Sequence, residues 1–238
     1  MTKKRAIIIV IDSMGIGALP DCAEFGDIPE CNTLKNVCAF NKGLDVPVLA
    51  SNAIDVETGK AYFQEYVIQK RNGIKFAIIG FTQPNIENAY AQELWEGMDF
   101  ESLYPDFTQN VVDRVRAEEN PDVVIVVIHS GAGRGDGQQL EQQGLDLFNS
   151  LKGVDYLVSS HDHRAAVLEN ESMAFVNTGN YCANLGYGTI TVTVEKGKVV
   201  GRKASSSSSF HGMVLRKSGT RDSSVNIAEK CSAKELPK

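Results

Sequence analysis

No apolar stretch in this sequence approaches the ~20 residues that a helix needs to cross a bilayer, so no membrane partner is expected. Positive charge is short: 24 lysines and arginines stand against 30 aspartates and glutamates, a formal net charge of −6. A phosphate-backbone surface needs a basic patch, so nucleic acid is not an expected partner either. Five cysteines (Cys22, Cys31, Cys38, Cys182 and Cys231) show no CxxC spacing, and their odd number leaves one over. Reduced thiols in a cytoplasmic setting fit that pattern best. The start, Met1 to Arg5 and then Ala6 to Ile11, has the outline of a signal peptide. Its apolar core is shorter than the ~7–15 residues such segments carry, and Asp12 ends it without a small-residue cleavage site. It reads as a first buried strand. What remains, 238 residues with 42% hydrophobic and 23% charged, is enough for a globular core.

Histidine is also scarce, four in the chain, and three of the four fall in two places. Val123-Val124-Ile125-Val126-Val127-Ile128 stops at His129-Ser130-Gly131, and Tyr156-Leu157-Val158-Ser159-Ser160 stops at His161-Asp162-His163. Apolar, mostly β-branched runs of this length read as strands buried on both faces of a parallel sheet. The carboxyl ends of such strands face the ligand crevice of an open α/β sheet. A lone histidine there more often caps a strand or bonds a loop. Three delivered to one place by neighbouring strands favour a metal site, because neutral imidazole is a common transition-metal ligand.

Taken in order, Ala6 to Ile11 is followed by Asp12-Ser13-Met14-Gly15-Ile16-Gly17, a turn suited to metal, phosphate or simple helix capping. Tyr62 to Gln69 and Ile74 to Gly80 read as a hairpin across Arg71-Asn72-Gly73, since Asn-Gly between apolar runs is a strong hairpin signal. Phe107, Val111, Val112 and Val115 give helical spacing over about Tyr104 to Glu118, and Asn120-Pro121 ends it. A second helix is expected over about Gln138 to Ser150, with Leu140, Leu145, Leu147 and Phe148 inward. The rhythm is βαβ. Met173 to Val176, Gly188 to Val194 and Lys198 to Lys203 read as antiparallel strands. Asn177 to Asn180 is a turn or a substrate-side loop. Ser205 to Ser209 reads as a flexible linker, and Val225 to Ala233 as a helix.

Two resemblances follow. The segment 1–46 is similar to the opening of phosphopentomutases, through Val10 to Ala18, Pro20-Asp21, Phe25-Gly26-Asp27, Asn32-Thr33-Leu34 and, weakly, Gly43 to Pro47. In that family the aspartate matching Asp12 binds manganese. The family's phosphorylated-threonine motif is missing, and Thr33 does not match it. The segment 47–204 resembles the second half of the 5'-nucleotidase-type metallophosphoesterase domain, found also in UDP-sugar hydrolases. The match runs through Pro47 to Asn52, Gly73 to Thr82, Pro121 to Ile125, Ile128 to Gly131 and Val154 to His163. This resemblance implies an αββα sandwich with two divalent metals, manganese or zinc, and a phosphate ester such as a nucleotide cleaved by metal-activated water. It implies His129 and His161 on one metal and His163 on the other, as metal-binding and catalytic residues. Glu141 stands near the family's glutamate, but it reads slightly better as a solvated helix position.

The departures are as informative. The family's opening Asp-x-His strand, bridging aspartate and Asn-His pair are absent, as is its C-terminal specificity domain, and Ser160 replaces a glycine. Two-metal hydrolysis needs carboxylates on both ions. Asp12 is the candidate replacement, and a partner chain completing the site is the alternative. The expected fold is therefore an incomplete α/β metallophosphoesterase-like sandwich with a grafted N-terminal βα unit, over 47–204, followed by a serine-rich linker and tail over 205–238. The expected function is a metal-dependent phosphoester hydrolase. Its alternatives are a phosphopentomutase-lineage protein acting on ribose phosphates and an inactive metal-binding remnant.

Overall fold

The computed structural model describes residues 47–180 and 184–210. Asp12, the phosphopentomutase-like segment, all five cysteines and the expected helix over Val225 to Ala233 lie outside the described residues.

A six-stranded mixed sheet organises the molecule, in the order β2-β3-β5-β6-β8-β7. Its strands are β2 (Tyr66–Arg71), β3 (Ile74–Phe81), β5 (Val123–Ile128), β6 (Tyr156–Ser159), β7 (Ala165–Glu169) and β8 (Ala174–Thr178). The four central strands run parallel, and an antiparallel strand closes each edge. The β2–β3 hairpin forms as expected: Asn72 and Gly73 both take positive φ, 53° and 81°, which the tight turn between twisted strands requires. A short pair, β1 (Ala53–Asp55) with β4 (Met98–Phe100), stands apart from the sheet. Between its strands lie α1 (Ile86–Ala89) and a 3-10 turn.

One face of the sheet is covered by helices. The first is α2 (Phe107–Glu119), which buries Thr108, Val111, Val112 and Val115 and stops where Asn120 turns left-handed at φ 45° before Pro121. The second is α3 (Gly144–Ser150), which buries Leu147 and Phe148. Against them pack Val124, Val126 and Ile128 of β5, Leu157 of β6 and Phe175 of β8. The helix expected from Gln138 is shorter by six residues, and Leu140 is exposed. The backbone of 138–143 is spent elsewhere: the Glu141 carbonyl accepts the Gly131 N–H at 2.9 Å and the Ser130 hydroxyl at 3.1 Å.

The other face carries the hairpin β9 (Asn184–Glu195) and β10 (Lys198–Phe210). Ile190 and Ala204 pack on Tyr156, Ala174 and Val176. A side chain at Gly188 would stand 2.3 Å from the Tyr156 ring, so glycine lets β9 cross at backbone distance. The serine run is a corrected expectation. It forms the distal half of β10, with Ser205 to Ser209 paired to Thr189 through Leu185. The Ser206 hydroxyl meets the Tyr156 hydroxyl at 2.7 Å, and its N–H donates to Glu169 at 2.7 Å. Composition alone reads serines as a linker; here their small side chains fit between β9 and Tyr156. A second correction concerns β8, which runs parallel to β6 and pairs antiparallel only with β7. Because the hairpin covers only part of its face, Ile125 and Val127 remain half-buried, so β5 is fully buried on the helix side and, on the hairpin side, only at Val123.

Candidate functional site

The parallel register places the ends of β3, β5, β6 and β8 side by side, Phe81 opposite Ile128 and Ile128 opposite Ser159. The residues just past those ends form the site. The His129 N–H donates to the Phe81 carbonyl at 2.9 Å, which continues the ladder by one step and fixes the ring's origin. Asn52 is fully buried beside the end of β3. Its amide oxygen accepts the Thr82 N–H at 2.8 Å, and its nitrogen donates to the Thr82 and Glu101 carbonyls.

His129 and His161 meet: Nε2 of the first lies 3.1 Å from Nδ1 of the second, with the rings edge to face at 69°. Each ring's second nitrogen faces a polar group. Ser160 Oγ lies 3.4 Å from His129 Nδ1, and Glu141 Oε2 lies 3.6 Å from His161 Nε2. Glu141 is in turn held by Asn85, whose amide donates to Oε1 at 2.5 Å. Glu141 lies before the helix, not within it, and its side chain, 43% exposed, stands beside the histidine pair. His161 and His163 take positive φ, 112° and 59°, and Asp162 stands between them. His163 is exposed.

Two neutral imidazole nitrogens 3.1 Å apart have two chemical options. One donates a proton to the other, or both direct lone pairs at a cation. Nitrogens bound at about 2.1 Å to one ion sit roughly 3.0 to 3.4 Å apart, from octahedral to tetrahedral geometry. The observed spacing falls in that range. Metal-bound histidines commonly give their other ring N–H to a carboxylate or similar acceptor, as Glu141 and Ser160 are placed to provide. The donor pair therefore fits one divalent ion, as two ligands of a larger set. Among the described residues no group of three or more His, Cys, Asp or Glu side chains stands together as a metal cage.

Sequence reasoning passed over Asn85, gave Asp162 no role within its motif, and left Asn177 to Asn180 open between a turn and a substrate-side loop. Asn177 is fully buried at the end of β8 and donates to Asp162 Oδ1 at 2.9 Å. A polar residue closing the apolar run Ala174-Phe175-Val176 is the same signal that marked the histidines. Asn85 carried no such signal, because its contact with Glu141 spans 56 residues.

No family model matches the chain. A 5'-nucleotidase from Vibrio cholerae is 27% identical over 189 residues, covering 76% of this chain and 34% of the relative. A phosphopentomutase from Elusimicrobium minutum is 30% identical over 171 residues, 64% of this chain and 41% of the relative. A phosphopentomutase from Desulfitobacterium hafniense is 50% identical over 46 residues, 19% of this chain. Among solved structures, a protein assigned as a 5'-nucleotidase from Staphylococcus aureus aligns with TM-score 0.59 at 16% identity, covering 80% of this chain and 36% of that one. A calcineurin-like phosphoesterase from Bacillus subtilis aligns with TM-score 0.59 at 20% identity, covering 71% of this chain and 57% of that one. The fold is that of 5'-nucleotidases and calcineurin-like phosphoesterases. In sequence the chain resembles 5'-nucleotidases over about three quarters of its length, with a partial phosphopentomutase likeness beside it. It spans about a third of the length of the 5'-nucleotidases it matches.

Proposed function

We propose that the chain is a metal-dependent phosphoester hydrolase that binds a divalent ion between His129 and His161. The observation that carries this is the 3.1 Å approach of His129 Nε2 to His161 Nδ1 at the carboxyl ends of adjacent parallel strands. A bound divalent ion supplies Lewis acidity at a phosphoryl oxygen and activates water near neutral pH. The chain's own residues hold and orient: His129 and His161 donate lone pairs, Glu141 faces His161 Nε2 at 3.6 Å, and Asn85 keeps Glu141 aimed. His163 and Asp12 complete this reading as further ligands from the end of the same loop and from the N-terminal segment. The substrate class, nucleotides or related small phosphate esters, is supported by the names of the relatives. Manganese and zinc are the candidate ions, because imidazole and carboxylate donors suit both.

The test is metal content of the purified chain together with manganese-stimulated hydrolysis of an aryl phosphate. Bound metal and turnover are expected, with His161→Ala lowering both to background. Turnover that survives His161→Ala sinks the proposal; metal without turnover leaves a binding remnant. A second reading, phosphate transfer on ribose, is favoured by the 50% identity to a phosphopentomutase over 46 residues. Conversion of ribose 1-phosphate to ribose 5-phosphate separates it from hydrolysis.

A further inference from the structure

We propose that Asp162 is the positioning residue of the histidine pair, its carboxylate clamping the loop after β5 to the loop after β6 so that His129 and His161 face one another. The inference rests on the metal-site reading above and adds to it a residue that neither the sequence motifs nor the relatives assign.

Three segments converge on this one carboxylate. Oδ2 accepts the Ala132 N–H at 2.9 Å and the Gly133 N–H at 3.5 Å, both from the loop after β5. Oδ1 accepts the buried Asn177 amide at 2.9 Å, from the end of β8, and the Arg164 N–H at 3.3 Å, from its own loop. An ionised carboxylate is an acceptor only, with lone pairs enough for all four donors. Ala132 lies three residues past His129, and Asp162 adjoins His161. The clamp therefore joins the two backbones that carry the rings.

The local backbone is shaped around it. A side chain at Gly131 would stand 2.6 Å from Asp162 Cβ and 2.7 Å from Cγ, so only glycine lets the carboxylate reach the loop. The residues on either side, His161 at φ 112° and His163 at φ 59°, lie in a region that L residues rarely adopt. Such conformations persist where the surroundings over-determine them. Asp162, bonded on both oxygens between the two, is that over-determination. Both oxygens of Asp162 are taken up in this network, so it acts on the imidazoles through the backbone that carries them.

The test uses the full chain, with Asp162→Ala, Asp162→Asn and the double swap Asp162→Asn/Asn177→Asp. In the swap an amide at 162 still accepts the Ala132 N–H through its oxygen and donates through its nitrogen to a carboxylate at 177, and only the long, exposed Arg164 N–H contact at 3.3 Å loses its acceptor. The second oxygen at 177 can still accept the Gly179 N–H, which Asn177 now accepts at 3.2 Å. Two quantities are read: Mn²⁺ affinity by titration, and the nuclear Overhauser contact between the His129 and His161 rings in the metal-free chain. With circular dichroism unchanged, both single variants are expected to lose the ring contact and bind Mn²⁺ at least tenfold more weakly. The swap is expected to restore the contact and bring affinity within threefold of the parent. A ring contact and affinity that survive both single variants overturn the proposal, as does a folded swap that restores neither. Should Asp162→Ala fail to fold, Asp162→Asn against the swap decides alone. Should the parent chain bind no Mn²⁺, the metal reading fails while the ring contact still judges the clamp: its loss and recovery support it, and its persistence overturns it.

Discussion

Glu141 shows what a single residue adds to a site that histidines define. Its carboxylate stands between Asn85 and His161 Nε2, 3.6 Å from the imidazole on the side remote from His129. Glu141→Gln keeps the contact with Asn85 through the amide oxygen but removes the negative charge that faces His161 Nε2. Mn²⁺ affinity measured by titration is expected to fall about tenfold without loss of fold. A different lone residue sets a pH dependence. Asp146 is buried, only one of its oxygens is bonded, to the Gly137 N–H, and burial followed by the nearby Asp136 charge outweighs that bond to raise its pKa. The folded chain therefore holds this proton more tightly than the unfolded chain does. The stability it supplies is full below the ordinary value of 3.8 and is lost as pH rises through the raised folded value. Asp146→Asn, which keeps the Gly137 bond, is expected to flatten that fall in thermal midpoints taken across the acid range. At this scale the histidines were legible because each ends an apolar run. Glu141 was marked only by the resemblance, because its partner Asn85 comes from a different loop, and no local pattern encodes a contact across the crevice.

Among the elements, β5 and β6 were readable from composition because central strands of a sheet that is covered on one face and partly covered on the other are apolar at nearly every position. The β9–β10 hairpin was only half readable. Its first turns alternate as a strand should, but its serines carry no hydrophobic signal, and their role comes from Tyr156 and Glu169 on another layer. Charge as well as apolar contact fastens this hairpin. Asp155, at the start of β6, accepts the Val124 N–H and is bridged by Arg202 of β10 at 3.1 Å and Arg116 of α2 at 3.5 Å. These groups line a cleft of about 330 Å³ at the end of the sheet opposite the histidines. Asp155→Ala leaves a half-buried arginine pair without its counter-charge. The arginines keep enough solvent to screen them, so the expected cost is about 2 kcal/mol. Denaturant unfolding measures that cost, and faster hydrogen exchange in β10 than in β5 would localise it.

At the scale of the whole molecule the described fold is one layer of helices, one mixed sheet and one hairpin. Protection from hydrogen exchange should follow that order of burial. Amides of β3, β5, β6 and β8 are expected to exchange only through global unfolding, and those of the outer halves of β9 and β10 through local opening. Uniform protection across both would contradict it. The βαβ order, the hairpin at Asn72-Gly73 and the end of α2 at Asn120 were legible because each is fixed by neighbours in sequence. The parallel placement of β8 was not, since it depends on which edge of β6 is free.

The serine run in β10 bears on where the chain can be divided. A protease that seeks loose, extended backbone finds none at 205–208, where the strand is paired along its length to β9. Shortening the gene at that run, as its composition invites, would sever a 13-residue strand in its middle. Tyr156 would lose the hydroxyl that meets its own, and the truncated chain would present β9 as a bare edge to its neighbours in solution. The stretch that looks most dispensable in print is the one whose removal would leave the first half of β9 unpaired on both edges.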